Sequence, residues 1–195
     1  MLDATYVTLA EMEAGLATIR QSPKDVGVLK LIVCRPDTDE REVLEEGQLD
    51  PAHGLIGDSW KARGSRSTPD GSANLEMQIN VMNARVIELL AQSQDRWALA
   101  GDQLFVDFDL SEANVPPGTR LAVGSAIIEV TAPPHLGCKK FGARFGPDAV
   151  KFVNSPEGRQ LHLRGVNAKV ITAGPVRNGD KVARLSRLGL SSPTT

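Results

Sequence analysis

Short β-strand patterns dominate the distribution of apolar and polar residues along the chain. The segment 28–34 is a nearly continuous run of aliphatic and β-branched residues, which is typical of a buried strand. A hairpin is predicted over 121–131, because Gly124 and Ser125 fit a two-residue type II′ turn between two apolar runs. Further strands are predicted over 76–80, 103–108, 165–172 and 180–185, the last following a turn at 177–180.

Helical spacing of apolar residues is found in three segments. Thr8 and Glu11 have the spacing of a capping box and predict a short N-terminal helix. Asn83 can cap a second helix over 84–92, and a third is predicted over 147–154. Many short strands with turns between them and only a few helices predict a mainly β fold, a closed or nearly closed β-barrel with a few peripheral α-helices.

The stretch 36–71 is polar, contains several glycines and shows little periodicity except in 42–46. Its middle, 52–60, has the composition of a loop, and 63–71 is expected to be its most mobile part because it is rich in Gly, Ser and Pro. Long segments of this kind are usually functional or partly mobile.

Composition and charge limit the possible partners. A chain of 195 residues can bury a full core as one domain without disulfides, and its two cysteines form neither a disulfide framework nor a four-ligand metal motif. The net charge of -2 argues against broad binding to nucleic acids or membrane surfaces, so any basic site must be local. The chain begins without a secretory signal pattern and contains no stretch apolar enough to span a bilayer, so a cytoplasmic location is expected.

Cys138 is the strongest candidate for chemistry, because its surroundings favour an accessible thiolate. Prolines and a glycine precede it, which predicts a loop position. Lys139, Lys140 and Arg144 follow it and would stabilise the charged sulfur, the species that attacks electrophiles, carries a second sulfur or ligates a metal. The alternative is an inert, half-buried cysteine beside solvated lysines. Cys34, in contrast, lies in a predicted buried strand and should behave as a small hydrophobic residue.

Several motifs, in the same order along the chain, carry a resemblance to a known family. They are GLIGD at 54–58, GDQL at 101–104, the hairpin segment 117–131, GCKK at 137–140 and the segment 165–182. Together they resemble the MOSC domain family over roughly 26–185. The resemblance implies a β-barrel domain over 26–186, preceded by an N-terminal helical extension over 1–25 and followed by a loose C-terminal tail over 187–195.

The resemblance also implies a function. Cys138 would either carry sulfur as a persulfide or ligate the molybdenum of a pterin-dithiolene cofactor. The residues expected to contact the cofactor are Lys139, Lys140, Arg144, Arg164 and Asp58. The implied activity is that of a sulfur transferase or of a component of a molybdenum-cofactor-dependent reductase, with a sulfur donor or a redox protein as partner. Pyridoxal phosphate, which larger family members use, is not expected to bind this chain, because it lacks their aminotransferase-like domain.

A zinc site is a second hypothesis. His135 and Cys138 could bind a metal together with His162 or His53, although a His-x2-Cys pair supplies only two ligands and a structural zinc site needs four. His162 alternates with apolar neighbours and is expected to be a strand histidine. This hypothesis therefore depends on distant parts of the chain bringing further ligands to Cys138.

A third hypothesis is a binding module without catalysis. In this case the barrel mouth, with Cys138, Arg144 and the 52–60 loop, would hold a small anion or a partner peptide. Hydrolases of the common types are not expected, because the chain has no GxSxG, HExxH or P-loop motif. One departure from the family bears on all three hypotheses: Asp102 and Gln103 stand where the family commonly has Glu and Asn, and the shorter acid would alter any contact made there.

Overall fold

The computed structural model describes residues 6–186 and contains eleven strands in this range. The strands are β1 (Val26–Cys34), β2 (Glu42–Leu44), β3 (Glu46–Asp50), β4 (Gly54–Leu55), β5 (Ile79–Asn83), β6 (Leu104–Asp107), β7 (Arg120–Val123), β8 (Ala126–Pro134), β9 (Val166–Thr172), β10 (Gly174–Arg177) and β11 (Lys181–Arg184). The helices are α1 (Leu9–Ile19), α2 (Trp60–Arg63), α3 (Ala84–Ala91), α4 (Lys139–Phe145), α5 (Pro147–Asn154) and α6 (Pro156–Gln160). Two 3₁₀ helices cover Leu75–Met77 and Gln94–Ala100.

Seven strands close into a barrel in the order β1, β11, β7, β8, β9, β5 and β6, with β6 pairing back to β1. A closed ring with an odd number of strands cannot be antiparallel throughout, and the one parallel pair in this barrel is β5 with β6. Strand β2 adds to the C-terminal end of β1, and β10, β3 and β4 form a separate three-stranded sheet. The prediction of a mainly β fold with a closed barrel and peripheral helices is confirmed.

The apolar residues form two layers. Side chains on one face of the strands, such as Leu29 and Ile32 of β1, fill the barrel interior. Leu31 and Val33 of the same strand point to the other face and pack with residues of α1, α3, α4 and α5. Both faces of β1 are therefore buried from Leu31 to Cys34, which explains why this half of the strand is continuously apolar, whereas the first half alternates between exposed and buried residues.

Several predicted elements are confirmed. Helix α1 has Thr8 as its N-cap with the complete capping box, and Asn83 caps α3. Helix α5 has the predicted bounds, 147–154. In the hairpin of β7 and β8, Val123 pairs with Ala126 and Gly124 has a φ of 54°, as the first central position of a type II′ turn requires. The predicted C-terminal tail, 187–195, lies outside the described residues.

Other predictions of secondary structure were wrong. The stretch 36–71 contains β2, β3, β4 and α2, which are too short and too polar to show a period in the sequence. The segment 76–80 is the end of a 3₁₀ helix followed by the start of β5, so its alternation did not come from a strand alone. Helix α4 was not predicted, because Gly142 and the prolines before Cys138 weaken the helical signal. Within residues 6–186, no helix combines the length and the apolar character needed to cross a bilayer.

Candidate functional site

Arg35, directly after β1, is the centre of a buried polar network. Its side chain is 8 % exposed, and its Nε and Nη2 donate to the two carboxylate oxygens of Asp58 at 2.8 and 2.9 Å. Its Nη1 donates to Asn80 Oδ1 at 3.0 Å and to the carbonyl of Gly101 at 2.9 Å. A bidentate pair with these extra bonds fixes the guanidinium, and removing one partner of such a buried pair typically costs about 3–5 kcal/mol.

The network continues across the barrel end to the rim of β8. Asn80 Nδ2 donates to Asn167 Oδ1 at 2.7 Å, and Asn167 Nδ2 donates to the carbonyl of Pro133 at 2.9 Å. Gln103 accepts from the backbone N–H of Asn80 and donates to the carbonyl of Gln78, and neither glutamine side chain is exposed. These bonds hold the polar side chains of β5 and β9 in fixed orientations.

A second buried ion pair joins Asp102 and Arg164. Arg164 Nη1 donates to Asp102 Oδ2 at 2.6 Å and Nη2 donates to the carbonyl of Ala100 at 3.0 Å. The guanidinium carbon lies 4.7 Å from the ring centroid of Phe141 in α4, which is a cation–π distance. His135 Nδ1 lies 3.4 Å from Asp102 Oδ1, and among the described residues neither atom has a hydrogen-bond partner.

Burial shifts the pKa values of Asp102 and His135. It raises the pKa of Asp102, an effect that the charge of Arg164 opposes. Burial also lowers the pKa of His135 well below its ordinary value, and the charges of Arg164 and Arg35 act in the same direction. His135 is therefore held neutral near physiological pH, so it offers one donor and one acceptor nitrogen.

Arg144 and Arg41 complete a ring of arginines around the segment 99–102. Arg144 Nη1 donates to the carbonyl of Leu99 at 2.7 Å, and a Cβ placed on Gly101 would lie 3.4 Å from Arg41 Nη2. Burial, followed by the charges of Arg144 and Arg35, lowers the pKa of Arg41. Arg41 Nε is buried without a hydrogen-bond partner among the described residues, as is Arg164 Nε. We call Arg35, Arg41, Arg144 and Arg164 the arginine ring.

An open groove of about 970 Å³ adjoins the buried network. Its floor includes Asn80 and His135, and its walls come from α2 and the segment after it, with Trp60, Arg63 and Arg66 among the lining side chains. The groove is thus lined by cationic and hydrogen-bonding groups next to the arginine ring. Such a surface suits an anionic ligand that also carries hydrogen-bonding groups.

Cys138 is exposed and forms the N-cap of α4, so the expected loop position is correct for the thiol itself but not for the residues after it. The backbone before it is fixed, because Gly137 exchanges two hydrogen bonds with the side chain of Asn154, at 2.9 and 3.0 Å. Cys34 is 3 % exposed, and burial together with the charge of Asp58 raises the pKa of its thiol. The predicted contrast between the two cysteines in exposure is confirmed.

The basic residues after Cys138 are helical and only partly free. Lys140 Nζ and Arg144 Nη2 both lie 3.0 Å from Asp39 Oδ1, so one carboxylate of the β1–β2 connection pairs with both. Lys139 is exposed at the start of α4. Arg164 and Asp58, which were expected to contact the cofactor, are buried and paired with Asp102 and Arg35, as described above.

The three histidines have separate surroundings. His53 Nδ1 lies 2.8 Å from Asp50 in the exposed turn before β4, and His162 Nδ1 lies 2.6 Å from the carbonyl of Leu110. The expectation that His162 is a strand histidine was wrong: it lies in the turn after α6 with a φ of 47°. Within residues 6–186 no three His, Cys, Asp or Glu side chains are grouped to hold a metal ion, so the zinc hypothesis lacks a ligand set there.

Residue patterns alone did not identify Arg35, Asn80, Asn167 or Arg41. Arg35 follows a buried strand directly, and a charged residue in that position is a signal that could have been used. Asn80 and Asn167 lie on strands, where a polar residue is usually read as facing solvent. Only the closure of the barrel shows that these side chains face each other at its end.

A comparison with protein families identifies one family. A model of the MOSC domain matches residues 69–183. No curated protein of similar sequence was found. Among solved structures, a hypothetical protein is 18 % identical and superposes with a TM-score of 0.56, the match covering 88 % of this chain and 72 % of that one.

Two named structures have the same fold at low identity. The YuaD protein of Bacillus subtilis is 15 % identical with a TM-score of 0.53, covering 80 % of this chain and 94 % of that one. YiiM of Escherichia coli is 18 % identical with a TM-score of 0.52, covering 83 % and 71 %. At these identities the likeness concerns the fold.

Proposed function

The chain belongs to the MOSC domain family, which is associated with the molybdenum cofactor. From this premise we propose that the arginine ring and the groove bind that cofactor and that Cys138 is the reactive thiol. The observation that carries the proposal is the arginine ring itself. Four guanidinium groups surround one segment of four residues, and that of Arg41 keeps a buried N–H without a partner among the described residues. A buried donor left unpaired is costly, and an anionic ligand would satisfy it.

The residues present fit such a ligand. A pterin phosphate needs cationic groups for its phosphate and both donors and acceptors for its ring edge. The groove provides Arg63 and Arg66 as cationic groups for the phosphate, and Asn80 and His135 as donors and acceptors for the ring edge. We propose that Arg41 and Arg144 contact the ligand directly.

We propose that the paired residues position the site rather than contact the anion. Asp58 holds the guanidinium of Arg35 in a bidentate pair, and Asp102 holds that of Arg164. Each pair is close to neutral as a unit, so its contribution is to fix the segment 99–102 through backbone carbonyls. Lys139 and Lys140 lie at the exposed start of α4 and would add positive charge near the thiol.

Two roles for the Cys138 sulfur follow from its exposure and its fixed backbone. As a thiolate it would be a soft ligand for molybdenum, and the bound cofactor would supply redox chemistry at that metal. As a sulfur carrier, the thiolate would attack the outer sulfur of a donor protein's persulfide. In that step a new S–S bond forms on Cys138, the donor S–S bond breaks, and the donor cysteine leaves as a thiolate. The first role implies a redox partner and the second a sulfur donor.

The test is to purify the full chain without oxygen from cells that make the molybdenum cofactor. Molybdenum, oxidised pterin fluorescence and intact mass would be measured on wild type, Cys138→Ser and Cys34→Ala. We expect molybdenum and pterin, or an added sulfur atom, in wild type and Cys34→Ala, and neither metal nor added sulfur in Cys138→Ser. Wild-type protein with no pterin, no molybdenum and no added sulfur would refute both roles.

A further inference from the structure

A second cavity, of about 290 Å³, also borders His135. His135 lines both spaces. Asn80 lines the groove and Asn167 lines the cavity, and the hydrogen bond between these two side chains joins the two walls. The two spaces are therefore neighbours that share the imidazole of His135 and are connected by one hydrogen-bonded pair of amides.

The cavity lies where the pairing of β8 and β9 is interrupted at the barrel rim, and the unpaired residues of both strands line it. Val130 pairs with Ala168, but the next pair is Pro134 with Val166, so three residues of β8 face one residue of β9. Bulges of this kind are frequent at barrel rims and beside functional sites. Across the cavity, His162 adopts a left-handed conformation that is uncommon for a residue with a side chain.

The interior of the cavity carries no uncompensated charge. Its walls are mainly apolar and include Val130, Pro133, Leu136, Val153 and Val166. Of the charged residues that line it, Glu112 and Arg159 are exposed at the surface, and the charge of Arg164 is paired with Asp102. A charged ligand would lose hydration here and could pair only with the solvent-exposed Glu112 or Arg159, whose charges water screens, whereas the groove offers arginines to an anion.

We propose that this cavity binds an uncharged, largely apolar small molecule whose single polar group faces His135. The role of the cavity as the organic-substrate pocket rests on the proposed function, because it requires the cofactor to occupy the groove. Its selectivity for uncharged ligands does not depend on the cofactor. The neutral imidazole of His135 can meet either a donor or an acceptor on the ligand, and within residues 6–186 it is the only side chain that lines both spaces.

Benzamide, benzoate and benzamidinium provide matched probes, since they share one shape and differ in charge. Each would be titrated into the ¹⁵N-labelled full chain and followed by amide chemical shifts. We expect benzamide to shift the amides of Leu136, His162 and Asn167, and to bind there at least about tenfold more tightly than either charged analogue. Benzoate should shift Gly64 and Ser65 of the groove instead. Equal occupation of the cavity by all three probes would overturn the proposal.

A variant that fills the cavity supplies the matched control. Ala132 lines the cavity and is exposed, so Ala132→Phe should fold, while Ala52→Phe places the same side chain on an exposed turn outside both spaces. We expect Ala132→Phe to abolish the benzamide shifts and to leave molybdenum and pterin content unchanged. Unchanged benzamide binding in Ala132→Phe would refute the cavity site. If purified wild-type protein contains no molybdenum or pterin but still binds benzamide in the cavity, only the proposed function is refuted.

Discussion

Cys138 and Cys34 have opposite environments, and this difference predicts their reactivity. Cys138 is exposed, whereas Cys34 is buried in β1 and burial raises the pKa of its thiol. Since the thiolate is the species that reacts, we expect iodoacetamide to label Cys138 in the native protein and Cys34 only after unfolding. Mass spectrometry of digested protein would measure both. Native labelling of Cys34 at an equal rate would contradict the buried position of that thiol.

His135 predicts a loss of stability on the acid side of neutrality. In the unfolded chain it titrates near 6.5, whereas burial lowers its pKa in the folded protein. At pH values between these two pKa values, only the unfolded chain binds the proton. The contribution of His135 to the free energy of unfolding is therefore complete above a pH of about 6.5 and falls as the pH decreases.

Urea unfolding at pH values of about 7.5 and 5.5 would measure this effect. We expect His135→Gln to lose less stability than wild type between the two conditions, because the variant has no group to titrate there. His53→Gln, which changes an exposed histidine, should keep the wild-type difference. An identical pH dependence in wild type and His135→Gln would show that His135 does not carry the effect.

At the level of single residues, sequence reasoning found the side chains that stand in recognisable motifs. Cys138 came from its loop and basic surroundings, and Arg164 and Asp58 came from the family resemblance; the structure places the last two in buried ion pairs. Asn80 and Asn167 could not be found in this way, because a polar residue on a strand looks the same whether it faces solvent or a buried partner. Their role depends on which strands become neighbours.

At the level of elements, substitutions of two turn glycines measure how strongly each turn requires glycine. Gly124 has a positive φ, and a Cβ there would lie 2.2 Å from Asp180 Oδ2. Gly179 also has a positive φ, but a Cβ there would contact nothing within 4 Å. Gly179→Ala should therefore cost roughly 1–2 kcal/mol of backbone strain, and Gly124→Ala should cost more because of the added clash.

Chemical denaturation of both variants would measure these costs. Asp180 cannot move away freely, since its Oδ2 accepts the backbone N–H of Arg177 at 2.7 Å. Equal destabilisation by the two substitutions would mean that Asp180 rearranges at no cost. The comparison separates backbone strain from steric overlap, which a single variant cannot do.

Helices and strands with clear capping or turn residues in their own sequence were predicted. Those that are stabilised mainly by residues distant in the chain were not. Helix α5 and the β7–β8 hairpin have clear start and turn residues. Strands β3 and β4 are short and pair with β10 or with each other, so their stability comes from distant residues. Helix α4 contains Gly142, and its buried face consists of Phe141 and Phe145, which gain their partners only in the folded protein.

At the level of the whole molecule, the barrel concentrates positive charge in one place on an acidic chain. The net charge is -2, yet four arginines surround the segment 99–102, of which only Arg35 and Arg164 are in buried ion pairs, and two more line the groove. Local charge of this kind attracts a specific anion without making the protein a general polyanion binder. The sequence could give the net charge but not this arrangement, because the arginines come from distant parts of the chain.

Asp39 occupies part of this basic surface, and this predicts variants of opposite sign. It pairs with both Lys140 and Arg144, so an incoming anion must compete with it. Arg144→Ala should weaken pyrophosphate binding by about 1.5–3 kcal/mol, the value of a charge-assisted contact. Asp39→Asn should strengthen binding, because it frees two cations. Calorimetric titration at low and high salt would measure both, and the affinity of wild type should fall as salt rises.

Arg177→Ala supplies the control for these titrations. Arg177 is exposed and pairs with Glu46 on the three-stranded sheet, and it lines neither the groove nor the arginine ring. The Arg177→Ala substitution should lower the net charge by the same amount as Arg144→Ala and leave the pyrophosphate affinity unchanged. If Arg177→Ala weakens binding as much as Arg144→Ala, the anion responds to overall charge and not to the arginine ring. If Asp39→Asn weakens binding, Asp39 orients the two cations for the ligand and does not compete with it.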